Sequence, residues 1–84
     1  MYSAELHISA NNPVAEMEAI GADYCIVLAQ PRDDDYYIVE VWTYELNTMR
    51  AVIEEYYEDE PEEVDFFMEN SIFEGELNVT EFDR

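Results

Sequence analysis

Residues 54–69 read EEYYEDEPEEVDFFME, and the interpretation of the whole chain starts from this stretch. Nine of its sixteen side chains are carboxylates and none is basic, a balance that is typical of disordered acidic segments. Such segments are poor in aromatic and β-branched residues, yet this one contains Tyr56, Tyr57, Val64, Phe66 and Phe67. We therefore predict that these five side chains anchor the stretch to a hydrophobic core while the carboxylates face solvent.

The residues that lead into this stretch predict a helix over residues 45–58. Apolar side chains recur there at i, i+3, i+7 and i+11, which is the spacing of one helical face. They are Leu46, Met49, Ile53 and Tyr57. Pro61 interrupts the pattern, because the residue before a proline is biased away from helical geometry.

A second, shorter helix is expected over residues 61–69. Asp59 or Glu60 is placed to cap its first turn, where acidic side chains also interact favourably with the helix dipole. The side chains expected to face inward are Val64, Phe67 and Met68. Both halves of the acidic stretch therefore belong to the fold and are not expected to form a tail.

The N-terminal part of the chain predicts a strand followed by a helix. Residues 2–9 alternate in polarity, as expected of a half-buried strand. Its inward face carries Ala4, Leu6 and Ile8, and its outward face carries Ser3, Glu5 and His7. Asn12 followed by Pro13 predicts an N-cap and a first helical position, and Gly21 predicts the end of the helix. The apolar residues of this helix are Val14, Met17 and Ile20.

Three further segments have strand character. Residues 24–29 and 36–44 are rich in apolar, β-branched and aromatic residues, and a polar loop joins them. In the second segment the core face carries Tyr37, Val39 and Val41, and the opposite face carries Ile38, Glu40 and Trp42. Residues 71–82 return to a strand pattern. There Phe73, Leu77 and Val79 are expected on one side, and Glu74, Glu76, Asn78 and Thr80 on the other.

The resulting order is β-α-β-β-α-(α)-β in a single small domain over residues 1–84. This is the order of the split βαβ, or ferredoxin-like, pattern of an α+β domain, in which helices cover one face of an antiparallel sheet. The alternative is an antiparallel sheet with packed helices and another strand order. One sheet face is expected to remain open to solvent.

The charge balance indicates the class of partner. The chain contains 22 Asp and Glu against three Arg and no Lys, which gives a formal net charge of −19. Lys and Arg supply nucleic-acid affinity through counterion release, so direct binding to DNA, RNA or an anionic membrane is not expected. The complement of this chain is a basic protein surface, and surfaces that normally hold nucleic acid fit best.

The candidate partner-binding residues are acidic side chains from three regions, with Trp42 as an aromatic contact. The acidic stretch contributes Glu54, Glu55, Glu58, Asp59, Glu60, Glu62, Glu63 and Asp65. The open sheet face contributes Glu40, Trp42, Glu74 and Glu76, and the loop after residue 30 contributes Asp33, Asp34 and Asp35. Because the open face also carries Ile38, either a monomer or a homodimer is expected.

The sequence contains no recognisable catalytic constellation. His7 is the single histidine, it has no serine or cysteine motif as a partner, and two glycines cannot build a phosphate-binding loop. Residues 33–35 lack the spacing and the glycine of a calcium loop, so neither a metal nor a cofactor is expected. A lone cysteine, Cys25, and a start unlike a signal peptide predict a cytoplasmic protein. We do not expect an enzyme.

In size, charge and the acidic-aromatic composition of residues 54–69, the chain resembles phage-encoded DNA-mimic inhibitors. That group includes uracil-DNA glycosylase inhibitors, anti-restriction proteins and anti-CRISPR proteins, and the chain is most similar to the last. The resemblance implies that the protein blocks access of target DNA to a Cas effector, at its PAM-reading or DNA-channel surface. It implies no individual site residues, because it lies in composition over the whole chain.

Two other interpretations of the acidic composition remain open at this point. The chain could be an immunity protein or antitoxin that neutralises a basic nuclease, which is a related mechanism with one cognate partner. It could also be an acidic protein of a high-salt organism, in which the charge serves solubility and specifies no partner. The inhibitor interpretation predicts a basic DNA- or RNA-binding partner, such as a Cas effector or another nuclease complex.

Overall fold

The structure is a computed structural model, and it describes residues 1–30 and 36–77. Within these residues the chain forms four strands and three helices. In chain order they are β1 (Tyr2–Ile8), α1 (Pro13–Ala19), β2 (Tyr24–Ala29), β3 (Tyr37–Thr43), α2 (Leu46–Tyr56), α3 (Glu62–Asn70) and β4 (Phe73–Glu74). The predicted α+β class and order of elements are confirmed. The candidate residues Asp33, Asp34 and Asp35, and the predicted strand residues 78–82, lie outside the described residues.

The strands pair into one antiparallel sheet with the order β2-β3-β1-β4. β1 and β3 lie at its centre and pair along seven residues each. β2 pairs with the other edge of β3 and has an irregularity after Val27. β4 pairs with β1 through two residues only. This order is consistent with a ferredoxin-like arrangement, to which α3 adds one helix.

The hydrophobic core lies between the helices and one face of the sheet. Leu6, Val39 and Val41 from the sheet are fully buried, as are Met49, Val52 and Ile53 from α2. Ala4, Ile8 and Met17 join the same cluster, so the inward faces predicted for β1 and β3 are confirmed. Each fully buried side chain of this size contributes about 1.5–3 kcal/mol, which opposes the self-repulsion of so many carboxylates.

Helix α1 begins and ends where the sequence predicts. The Asn12 side-chain oxygen accepts a hydrogen bond from the Ala15 N–H at 3.1 Å, and Pro13 takes the first helical position, where no N–H is needed. Gly21 follows the helix with φ +117°, a left-handed conformation that other residues adopt only with strain. These local signals set both ends of the helix.

Two predictions of burial in the α2–α3 region are wrong. Leu46 is 45% exposed, because Met49, Val52 and Ile53 define the buried face and Leu46 lies at its margin in the first turn. Phe66 is 64% exposed, because α3 directs Val64 inward and half-buries Phe67 and Met68 instead.

The cap predicted for α3 is also wrong. The N-cap is Pro61, and neither Asp59 nor Glu60 caps the helix with its side chain. The Glu60 N–H donates to the Tyr57 carbonyl at 2.9 Å, and the Glu63 N–H donates to the Glu60 carbonyl at 3.0 Å. A tight backbone turn therefore satisfies the amides that a side-chain cap would otherwise serve.

The register of β4 overturns the placement of Glu74. Phe73 pairs with Ser3, and Glu74 pairs with Tyr2. Directly paired residues share a sheet face, so Phe73 lies on the open face with Ser3, and Glu74 lies on the helix side with Tyr2. The sequence analysis placed Glu74 on the open face and Phe73 on the opposite face. A shift of one residue in the register of a strand moves every side chain to the other face of the sheet. Glu76 lies beyond the end of β4 and is exposed.

Candidate functional site

Within the described residues, the strongest concentration of charge lies where α2 passes into α3. We call residues 54–65 the acidic turn. All eight of its carboxylate side chains are exposed: Glu54, Glu55, Glu58, Asp59, Glu60, Glu62, Glu63 and Asp65. The structure therefore brings together, on one continuous segment, every candidate that the sequence analysis assigned to this stretch.

Aromatic side chains hold the acidic turn against the domain. Tyr56 and Tyr57 are half-buried and meet edge to face with ring centroids 4.8 Å apart. Tyr57 also meets Phe67 of α3 edge to face at 5.6 Å, which joins the two helices across the turn. Burial, and then the neighbouring Tyr56, Glu63 and Glu60, raise the pKa of Tyr57 above its ordinary value.

The helix dipoles stabilise some carboxylates of the acidic turn and destabilise others. Glu62, Glu63 and Asp65 occupy the first turn of α3, where the helix dipole favours negative side chains. Glu54 and Glu55 lie near the C-terminal end of α2, where the dipole disfavours them, and the last turn of that helix contains no basic residue. Acids at such positions reduce helix stability, which favours a role for them outside the fold itself.

Among the described residues, Arg50 is the cation that forms ion pairs with this surface. Its Nε lies 3.7 Å from Oε1 of Glu54 on the same helix, and its Nη2 lies 2.6 Å from Oδ1 of Asp65 on α3. The hydrogen bond to Asp65 raises the pKa of Arg50 further above its ordinary value. Glu54 and Asp65 are therefore partly neutralised by Arg50, and the other six carboxylates of the acidic turn have no ion pair among the described residues.

The open sheet face is less polar than the sequence predicted. One row across the strands consists of Phe73, Ser3, Trp42 and Tyr24, and the next consists of Glu5, Glu40 and Ile26. Trp42 is only 9% exposed, and its indole N–H donates to Glu40 at 2.7 Å. Trp42 is therefore buried and hydrogen-bonded to Glu40, and it does not present a free aromatic ring.

The acidic turn and the open sheet face lie on different layers of the domain. The acidic turn belongs to the helices, and Glu40 projects from the other face of the sheet. The sheet thus separates Glu40 from the acidic turn, so these two candidate regions do not form one continuous surface. Phe73, which is 66% exposed, is a residue of the open face that the sequence analysis placed on the opposite side. Only its pairing with Ser3 reveals its position.

No group of three or more His, Cys, Asp or Glu side chains in residues 1–30 and 36–77 is arranged to hold a metal ion. Among the same residues, no helix has both the length and the apolar character needed to cross a membrane.

Comparison with known proteins identifies no relative of this chain. No protein-family model matches it, and neither the curated proteins nor the solved structures include a significant match. The functional argument therefore rests on the geometry and charge of the chain itself.

Proposed function

We propose that this protein is a non-catalytic inhibitor that presents the acidic turn to a basic nucleic-acid-binding protein and occupies the site of the nucleic acid. The observation that supports this most directly is the exposure of eight carboxylates on one aromatic-anchored segment, against which Arg50 is the single arginine among the described residues. A Cas effector in the bacterial cytoplasm is the first target to test, and the protein would then be a phage-encoded anti-CRISPR.

Charge density supports this proposal because it determines how far the field reaches. Exposed charges farther apart than about 8 Å are largely screened at physiological salt, so scattered acids produce little field beyond the surface. Glu58, Asp59 and Glu60 are consecutive, and consecutive Cα atoms are about 3.8 Å apart. Such close spacing maintains a strong local potential, which attracts a basic groove and accelerates association.

The first experiment measures competition with DNA. Purified protein on a solid support is expected to retain a Cas effector, and an excess of the effector's target DNA is expected to release it. Binding is also expected to weaken steeply between about 50 and 200 mM salt, as it does for DNA itself. Retention that neither DNA nor salt affects would contradict the mimicry mechanism.

The second experiment tests the acidic turn by charge reversal. A variant with Glu55, Glu58, Glu60 and Glu63 changed to Lys is expected to lose at least about tenfold in affinity for the effector, because mimicry depends on the summed field of the turn. The fold is expected to persist, since all four side chains are exposed. Effector affinity is measured by titration, and folding by circular dichroism.

A matched control changes four exposed acids elsewhere to Lys: Glu5, Glu18, Glu74 and Glu76. Both variants have the same net charge, so a general charge effect would weaken them equally. If the acidic turn is the binding surface, the control retains most of the affinity. Equal losses in the two variants would count against the acidic turn as the site.

A further inference from the structure

A cleft of about 260 Å³ opens between α1, α2 and the C-terminal end of β1. Ile8 and Met17, which are buried, and the half-buried Ile20 supply its apolar surface. This volume is below the range of about 300–1,000 Å³ that is usual for drug-sized ligands. The cleft therefore matches one long side chain better than a cofactor.

Tyr56 fixes one wall of this cleft. Its hydroxyl accepts a hydrogen bond from the His7 N–H at 3.4 Å and donates one to the His7 carbonyl at 3.2 Å. These two bonds attach the end of α2 to the edge of β1, so the position of the wall is set by the main chain of the sheet. A cleft that is held open in this way needs little rearrangement to receive a ligand.

Carboxylates surround the apolar surface. Glu16 comes from α1, and Glu55 and Glu58 come from the acidic turn; all three line the cleft and are exposed. An apolar surface with a negative rim is complementary to a side chain that has an aliphatic stem and a cationic head. The three carboxylates are not arranged to share a metal ion. A planar guanidinium with five donors suits separate carboxylates better than the compact ammonium of lysine.

We propose that this cleft binds one arginine side chain of the basic partner, with the methylene stem on Met17 and Ile20 and the guanidinium among Glu16, Glu55 and Glu58. The inference rests on the proposed function insofar as the partner is a basic protein. It adds a defined anchor point to a field that is otherwise diffuse, and it brings α1 into the binding surface.

The test uses a small probe in place of the partner. N-acetyl-arginine amide is titrated into the isotope-labelled protein, with N-acetyl-citrulline amide as an uncharged probe of nearly the same shape. Arginine amide is expected to cause saturable NMR shifts at Met17, Ile20 and Ala10. Citrulline amide is expected to bind at least about tenfold more weakly, because it lacks the charge that the rim recognises.

Two triple variants with the same change in charge test whether the arginine probe binds at the cleft. Changing Glu16, Glu55 and Glu58 to Gln is expected to reduce the affinity for the arginine probe at least about tenfold, because the side-chain volume is kept and the negative charge is lost. Changing Glu60, Glu62 and Glu63 to Gln, outside the cleft, is expected to change its affinity less than about twofold. Shifts spread evenly over the acidic surface, equal binding of citrulline amide, or equal losses in the two variants would each overturn the inference.

The outcome is separable from that of the proposed function. If no nucleic-acid-binding protein is a partner, arginine amide still binds the cleft and the DNA competition fails. If the cleft does not select arginine, the probe shows no preference, whereas DNA still releases the effector.

Discussion

At the scale of single residues, Cys25 shows how burial changes reactivity. It lies on β2 opposite Val41 and packs partly against the core. Burial, and secondarily the Glu18 carboxylate, raise the pKa of the Cys25 thiol from 9.0 to about 11. Because the thiolate is the nucleophile, the folded protein should be much less reactive than the unfolded chain.

We expect iodoacetamide to alkylate the folded protein at pH 8 about 100-fold more slowly than the chain in urea, because two pKa units reduce the thiolate by that factor. Mass spectrometry of timed samples measures both rates. The unfolded chain loses the thiol proton first as the pH rises, so the stability associated with Cys25 is present below pH 9 and is lost towards pH 11. Equal rates at pH 8 would show that Cys25 is accessible.

Burial also distinguishes two side chains of α2 that the sequence treats alike. Ile53 is fully buried and Leu46 is about half exposed, although both fit the same helical spacing. Ile53→Ala is expected to reduce the free energy of unfolding by about 2–5 kcal/mol through the cavity that it leaves. Leu46→Ala is the matched control and should change it by less than about 1 kcal/mol. Urea denaturation of both variants measures the difference, and similar losses would contradict this placement of α2.

At the scale of elements, α1 depends on local capping. Asn12→Ala removes the acceptor for the Ala15 N–H and is expected to reduce the free energy of unfolding by about 0.5–2 kcal/mol. Asn11→Ala, one residue earlier, is the control and should have an effect within about 0.5 kcal/mol. Thermal unfolding followed by circular dichroism measures both variants. If Asn11→Ala were the more damaging change, the cap would be assigned to the wrong residue.

The elements also differ in how far local sequence specifies them. The start and end of α1 were predictable, because Asn12, Pro13 and Gly21 act through the backbone of their own neighbours. The start of α3 was not, because Asp59 is a good cap by type, and the backbone turn from Tyr57 leaves both Asp59 and Glu60 unused as caps. A residue's preference for a cap position decides the outcome only when the chain path leaves the amides unsatisfied.

At the scale of the whole molecule, the net charge of −19 makes stability depend on salt. Screening reduces repulsion between exposed charges, and among the described residues only the pairs of Arg50 lose attraction in return. We expect 0.5 M NaCl to raise the Tm by at least about 4 °C over 20 mM NaCl, which corresponds to about 1 kcal/mol in a domain of this size.

The variant with Glu55, Glu58, Glu60 and Glu63 changed to Lys is the control for this salt effect. Its repulsion is smaller, so its Tm should rise less. Scanning calorimetry at the two salt concentrations compares the proteins. Equal Tm shifts in the two proteins would indicate that salt acts through hydrophobic burial in general and not through charge repulsion. A protein that unfolds completely in 20 mM NaCl would favour adaptation to high salt instead.

The sequence by itself determined the order of the helices and strands and the negative sign of the surface charge. Polarity alternation in β1 and β3 and helical spacing in α2 arise from the geometry of one segment, and the excess of acids is a property of composition. Tertiary structure alone decided which residues meet. It placed Phe73 instead of Glu74 on the open face and brought Glu16 into the same cleft as Glu55 and Glu58. These relations depend on register and packing between segments far apart in the chain, where a shift of one residue reverses a face and no local preference opposes it.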